Sequence, residues 1–182
     1  MEKAWFQRLF RPASSLGPIA TTVQAEASDA EAQFGLGLKY ATGEGAGEDY
    51  PQAARWYRKA ADQSHALAQF NLGLMYAAGH GVPRDEAEAA LWFRKSAEQG
   101  DAGAQHYLGA SCRRACFTAR PEEECESKVE AYKWFHLAAD QGYKDSAAAC
   151  ETLSLSMSRE ELDRGKQRVR AFVATQAAAA SS

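Results

Sequence analysis

An offset of 36 positions superimposes much of this sequence on itself, and this internal repeat constrains the fold more than any other feature. A glycine recurs at that offset, at Gly37, Gly73 and Gly109. Trp92 follows Trp56 by the same 36 positions, whereas Trp134 comes 42 positions after Trp92, so the third copy holds six extra residues. Such a period is typical of repeat arrays, in which each unit buries its apolar face only against its neighbours.

Each copy carries the start of a helix at a fixed distance before its tryptophan. A capping residue and, three positions later, Gln or Glu form the spacing of a capping box, in the pairs Asp49–Gln52, Asp85–Glu88 and Ser127–Glu130. Ser28 and Glu31 have the same spacing and predict the start of the first helix, and Gly43 predicts its end. The sequence thus predicts two helices per copy, with regular structure resuming at Ser127 after the insertion.

The second copy, residues 66–101, is the most regular of the three and carries most completely the residues that define the repeat pattern. They are Ala66, Ala68, Gln69, Leu72, Gly73, Tyr76, Gly79, Gly81, Val82, Asp85, Ala89, Trp92, Lys95, Ala97, Gln99 and Gly100. This pattern resembles the Sel1-like repeat, a relative of the tetratricopeptide repeat, over about residues 29–145. The resemblance implies an all-α fold, a right-handed α-solenoid superhelix of antiparallel helix pairs with a concave face. It also implies an adaptor that assembles protein complexes.

The chain is expected to divide around this array. We predict an N-terminal amphipathic segment and linker over 1–27, and three repeats over 28–145, at about 28–64, 65–100 and 101–143. A C-terminal half-repeat and capping helix follow over 146–176, and then a frayed tail over 177–182. The last helix is expected to start at a capping box at Ser158 and to end near Val173, with Arg168 on its outer face.

The N-terminal segment has one apolar helical face, formed by Trp5, Phe6, Leu9 and Phe10. We expect this face to cover the open end of the first repeat, because terminal repeats need a cap. Contact with a membrane surface or a partner is a less favoured alternative, and disorder is another.

The third copy lacks the G-x-G turn and holds three of the four cysteines, at Cys112, Cys116 and Cys125. Three interpretations stay open: a disulfide between Cys116 and Cys125, free thiols, or a metal site. The cysteine spacing is not that of a zinc site. Because the N-terminus does not resemble a secretory signal, a cytoplasmic location and free thiols are favoured, with an exported or periplasmic location as the alternative.

Charge and motifs restrict the chemistry. The net charge is −3, and because each end is basic, the body between them is more acidic still, which disfavours a nucleic-acid groove. The sequence contains no G-x-S-x-G, H-E-x-x-H or Walker motif. We therefore expect a monomeric, non-enzymatic protein without a metal or cofactor. A small hydrolase or thiol-redox protein centred on the cysteine-rich insertion is the alternative.

Binding of a protein or peptide through the concave face remains the favoured function. The first helices of the repeats line that face in tetratricopeptide-like arrays, so positions on them that are neither spacers nor caps are the candidates. These are Gln33, Lys39, Gln69, Asn71, Met75, Gln105 and His106. Their mixture of amide and apolar groups suits an extended peptide, whose backbone needs hydrogen bonds.

Overall fold

A computed structural model describes residues 29–44, 47–116 and 121–181, and within these ranges the chain is helical and contains no strand. The helices are α1 (Ala30–Thr42), α2 (Tyr50–Asp62), α3 (Ala66–Ala78), α4 (Glu86–Glu98), α5 (Ala102–Cys116), α6 (Pro121–Asp140), α7 (Ser146–Ser154) and α8 (Arg159–Ala180). The predicted all-α fold is confirmed. The N-terminal segment with Trp5, Phe6, Leu9 and Phe10 lies outside the described residues.

The chain forms two compact units that divide after Trp92, within α4. In the first unit α2 packs on both α1 and α3. The side chains of Tyr57, Leu72 and Met75 are buried between these helices. At the end of α2, the amide of Gln63 donates a hydrogen bond of 2.8 Å to the side-chain oxygen of Gln33, near the start of α1. The two helices are therefore antiparallel.

In the second unit α6 is the central element and packs on α5, α7 and α8. Trp134 and Phe135 of α6 are each only 1% exposed. The side-chain amide of Gln141, just after α6, donates a hydrogen bond of 2.9 Å to the side-chain oxygen of Gln105 near the start of α5. Helices α5 and α6 are therefore also antiparallel. The same glutamine contact thus closes the helix pairs of the first and third copies.

Aspartate side chains cap the starts of helices α1, α2 and α4. The side chains of Asp49 and Asp85 each accept a backbone N–H three residues on, at 3.0 Å, as the sequence predicted. The Asp29 carboxylate caps α1 by accepting the N–H of Glu31. The predicted capping residue Ser28 lies outside the described residues. Gly43 ends α1 in the left-handed conformation, with φ of 72°.

The prediction of a helix start at Ser127 was wrong. Helix α6 begins at Pro121, a residue suited to the first turn, and runs for 20 residues, so Ser127 lies inside it. Helix α5 is also longer than α1 and α3, at 15 residues against 13. Ala115 stands where α1 and α3 end at Gly43 and Gly79, and without that glycine α5 continues to Cys116. The extra residues of the third copy therefore lengthen its helices.

The last helix starts as predicted and ends later. Ser158 and Glu161 form a reciprocal capping box, with the Ser158 N–H 2.6 Å from the Glu161 carboxylate. The helix then continues to Ala180, so the prediction of an end near Val173 was wrong, and residues 177–180 of the predicted frayed tail are helical. Ser182 lies outside the described residues. Four consecutive alanines at its end, the strongest helix-forming residue type, account for the extension.

Candidate functional site

The structure corrects the placement of most of the predicted ligand-facing residues. Five of the seven side chains are at most 5% exposed: Gln33, Gln69, Asn71, Met75 and Gln105. The sequence predicts them at the surface because they are neither small spacers nor caps, but their side chains are buried among the packed helices. Their burial gives them a packing role within the chain.

The buried glutamines satisfy the ends of the preceding helices. Gln69 donates its side-chain N–H to the carbonyl of Ala61 in the last turn of α2, at 3.0 Å. Gln105 donates its side-chain N–H in the same way to the carbonyl of Ala97 in the last turn of α4, at 3.3 Å. The last carbonyls of a helix have no partner within that helix, so a side-chain donor there removes the cost of burying them. The recurrence of glutamine at the repeat period was the sequence signal for this role.

His106 and Lys39 are the two predicted residues that are not fully buried. His106 places Nδ1 2.8 Å from the Ser146 hydroxyl oxygen, and its ring meets the Phe135 ring at an angle of 63°. Burial lowers the pKa of His106, which favours the neutral imidazole. His106 thus joins α5 to α7. Lys39 lies in the last turn of α1, where a cation is favourable for the helix dipole.

The disulfide between Cys116 and Cys125 that was one open interpretation is absent, and all four cysteines are free thiols. The Cys116 thiol donates to the carbonyl of Cys112 at 3.3 Å, whereas the Cys125 sulfur accepts an N–H of Arg164 at 3.3 Å. Each sulfur is therefore engaged by a different partner. Among the described residues, no group of three His, Cys, Asp or Glu side chains is placed to hold a metal ion.

Thiol chemistry is not favoured by the surroundings of the cysteines. Burial raises the pKa of Cys112, Cys116 and Cys125 above that of a free thiol, and raises the pKa of Cys150 to about 11. The thiolate is the form that attacks electrophiles, so a raised pKa weakens a nucleophile. The alternative of a hydrolase or thiol-redox protein has no support from these groups.

A cavity of about 310 Å³ between α6, α7 and α8 brings His136, Asp140 and Cys150 together. His136 places Nδ1 3.2 Å from an Asp140 carboxylate oxygen. This combination of residue types occurs in nucleophilic sites, but Asp140 adds to the burial that raises the pKa of Cys150. The thiol therefore stays protonated near neutral pH, and the cavity lacks an activated nucleophile.

Acidic residues of the third copy hold the last helix in place. Glu126 of α6 accepts hydrogen bonds from Arg164, at 2.6 Å, and from Arg168 of α8, while Glu130 accepts from Arg168 as well. The hydrogen bond from Arg168 is the main cause that lowers the pKa of Glu126. The prediction that Arg168 lies on the outer face of the last helix was wrong, because Arg168 pairs with Glu126 and Glu130 of α6, and Glu126 lies in the part of α6 that precedes Ser127.

A basic groove of about 480 Å³ lies where α5 ends, α6 begins and α7 ends. We call it the repeat-three groove, and its main lining residues are Arg113, Arg114, Cys116, Glu124, Lys128 and Leu153. Lys128 forms an ion pair of 2.7 Å with Glu124. Within the described part of the chain, neither Arg113 nor Arg114 has a carboxylate partner, although the Arg113 guanidinium lies 5.7 Å from the centre of the Phe135 ring.

Sequence reasoning missed this groove. Its signal was present, because the two arginines replace Ala77 and Ala78 of the second copy just before the missing glycine turn. Because α5 and α6 are longer in this copy, residues of the insertion such as Cys116 and Glu124 lie beside the two arginines. At about 480 Å³ the groove is larger than the cavity beside Cys150, and the other two copies have no arginine at the positions of Arg113 and Arg114.

The model of the Sel1 repeat matches residues 30–65, 66–101 and 102–143. The solved structures that resemble the chain include the following two. A protective antigen present in uropathogenic Escherichia coli strains, displaying an SLR fold, shares 37% identity over 72% of this chain, with a TM-score of 0.63. A Sel1 repeat protein from Oxalobacter formigenes shares 31% identity over 74% of this chain and 96% of its own, with a TM-score of 0.62.

This chain spans 27% of the length of the Escherichia coli antigen. No curated protein matches the sequence. In the described residues, none of the helices has the length and apolar character needed to cross a membrane.

Proposed function

Because the chain belongs to the Sel1 repeat family, whose repeats typically mediate protein–protein interactions, we propose that it is an adaptor that binds a partner protein or peptide. The observation that carries this proposal is the match of three repeats over residues 30–143. Repeat arrays of this kind offer extended surfaces for recognition. The raised pKa values of the thiols favour binding over thiol chemistry.

We place the partner on the concave face that the family resemblance implies, which is lined by the first helix of each repeat. The burial of Gln69, Asn71 and Met75 leaves few side chains of α3 at the surface. Leu67 at the start of α3 is 49% exposed. It offers a position on a first helix that can be altered without disturbing the buried glutamine contacts.

Site-specific photo-crosslinking in cells tests this placement. A photoreactive phenylalanine analogue replaces Leu67 in α3 or, as a matched control, Leu91 in the second helix of the same repeat. The two leucines are comparably exposed, at 49% and 55%. We expect a partner to be captured from position 67 and identified by mass spectrometry, with little capture from position 91. Equal capture from both positions would contradict the concave placement, and capture from neither would contradict binding through this repeat.

A further inference from the structure

We infer that the repeat-three groove binds an acidic peptide segment of a partner protein, in which Asp or Glu lies near an aliphatic residue. This inference rests on the proposed binding function and specifies the chemistry of one ligand.

Among the described residues that line the groove, three are basic and one is acidic. Lys128 and Glu124 neutralise each other through their ion pair. Arg113 and Arg114 remain as exposed guanidiniums that lack a carboxylate partner among the described residues. Arginine binds carboxylates through two parallel hydrogen bonds, so a pair of arginines selects a ligand with carboxylates at nearby positions.

The wall of the groove supplies an apolar surface beside these charges. Leu153 lines it together with Thr152 and Cys116. A ligand that buries an aliphatic side chain here gains hydrophobic stabilisation, which a simple anion cannot supply.

Nucleic acid fits the groove less well than an acidic peptide. Glu124 lies in the lining, and the chain as a whole carries a net charge of −3. A phosphate backbone requires several cations in a row, whereas the described residues that line the groove offer two that are not already paired with a carboxylate. An acidic peptide needs only those two.

Selection from a random peptide display library against the full chain tests the inference. We expect the selected peptides to be enriched in Asp and Glu together with Leu, Ile or Val. The most enriched peptide is then labelled, and its affinity is measured by fluorescence anisotropy. Replacing both arginines by glutamine (R113Q/R114Q) is expected to weaken binding about tenfold, since two exposed guanidinium–carboxylate pairs are lost.

The control variant Arg170→Gln removes one exposed cation of α8 that does not line the groove. It is expected to change the affinity less than about twofold, because exposed charges at a distance are screened by salt. Circular dichroism and thermal unfolding verify that R113Q/R114Q keeps its helices. A labelled single strand of deoxythymidines serves as the probe for general attraction of anions.

Three results would overturn the inference. They are a selection without acidic enrichment, acidic peptides that bind R113Q/R114Q as tightly as the unaltered chain, and a deoxythymidine strand that binds as tightly as the selected peptide. None of them affects the capture of a partner from Leu67, which lies in the other unit of the chain. Conversely, if no partner is captured from position 67 but the selected peptides are acidic, the groove and not the concave face would be the binding site.

Discussion

At the scale of single residues, glycines determine how closely the helices approach. A Cβ built on Gly37 of α1 would lie 2.6 Å from the Tyr57 ring of α2, and one on Gly109 of α5 would lie 2.7 Å from the Phe135 ring of α6. Gly165 of α8 lies against Tyr132 in the same way, at 2.6 Å. The last helix therefore packs on α6 through a glycine that lies against an aromatic ring, as the helix pairs of the repeats do, although it is not part of a matched repeat.

Gly37→Ala should lower the free energy of unfolding by about 1–3 kcal/mol, because the added methyl group forces the Tyr57 ring to move in a packed core. Gly35→Ala in the same helix is the matched control, since nothing lies within 4 Å of a Cβ at that position. It should raise stability by up to about 1 kcal/mol through helix propensity. Urea unfolding followed by circular dichroism measures both, and equal effects of the two substitutions would contradict the packing role of Gly37.

The four cysteines should titrate as free thiols in the unfolded chain without any reductant. In the folded chain, reaction with a thiol reagent should be slower, and slowest at Cys150, because burial raises the pKa of that thiol to about 11. Mass spectrometry of partly reacted protein identifies the order. Fewer than four thiols after unfolding would reveal a disulfide and contradict the free-thiol state.

At the scale of elements, the third copy shows how one missing residue type changes a helix pair. Gly43 and Gly79 stop α1 and α3, whereas Ala115 allows α5 to continue. The lengthened α6 then carries Glu126 and Glu130 to the arginines of α8. The capping pattern at Ser127 was misleading because local spacing cannot distinguish a helix start from a helix interior that has the same residues.

Substitution of the three aligned positions Asp49, Asp85 and Ser127 by alanine distinguishes a helix start from a helix interior. Asp49→Ala and Asp85→Ala should each lower the free energy of unfolding by about 1 kcal/mol, because each carboxylate accepts a backbone N–H at a helix start. Ser127→Ala should have no such cost and should raise stability by up to about 0.5 kcal/mol, since alanine is the better interior residue. Chemical unfolding measures all three, and a loss for Ser127→Ala that matches the others would place a helix start there.

The contribution of Glu126 to stability should depend on pH. Its pKa is held below the ordinary value of 4.5 mainly by the hydrogen bond from Arg168, so the folded chain favours the charged form. This contribution is complete above pH 4.5 and is lost as the pH falls through the lower folded value. The difference in unfolding free energy between the unaltered chain and Glu126→Gln should therefore shrink below about pH 4.5. A difference that stays constant from pH 7 to pH 3 would show that the carboxylate charge plays no part.

At the scale of the whole molecule, the regular features were predictable and the individual ones were not. The fold class and the capping at Asp49 and Asp85 follow from local patterns that recur at the repeat period. The burial of Gln69 and Gln105 depends on which helix packs beside them, and the pairing of Arg168 depends on the length of α6. Such tertiary contacts have no local signature. The repeat-three groove was hidden for the same reason, because three separate helices form it.

Helix α8 should act as the closing element of the second unit. It covers Tyr132 through Gly165, and the Phe172 ring meets the Trp134 ring at 5.6 Å between centres. Deletion of residues 158–182 uncovers these aromatic side chains and removes both arginines of the ion-pair network, so we expect a lower melting temperature and increased binding of a hydrophobic dye. Deletion of residues 177–182 is the control, because Ala177, Ala178 and Ala179 are exposed, and it should change the melting temperature little. Calorimetry and dye fluorescence measure the two effects, and an unchanged melting temperature after the longer deletion would mean that α8 does not stabilise the unit on which it packs.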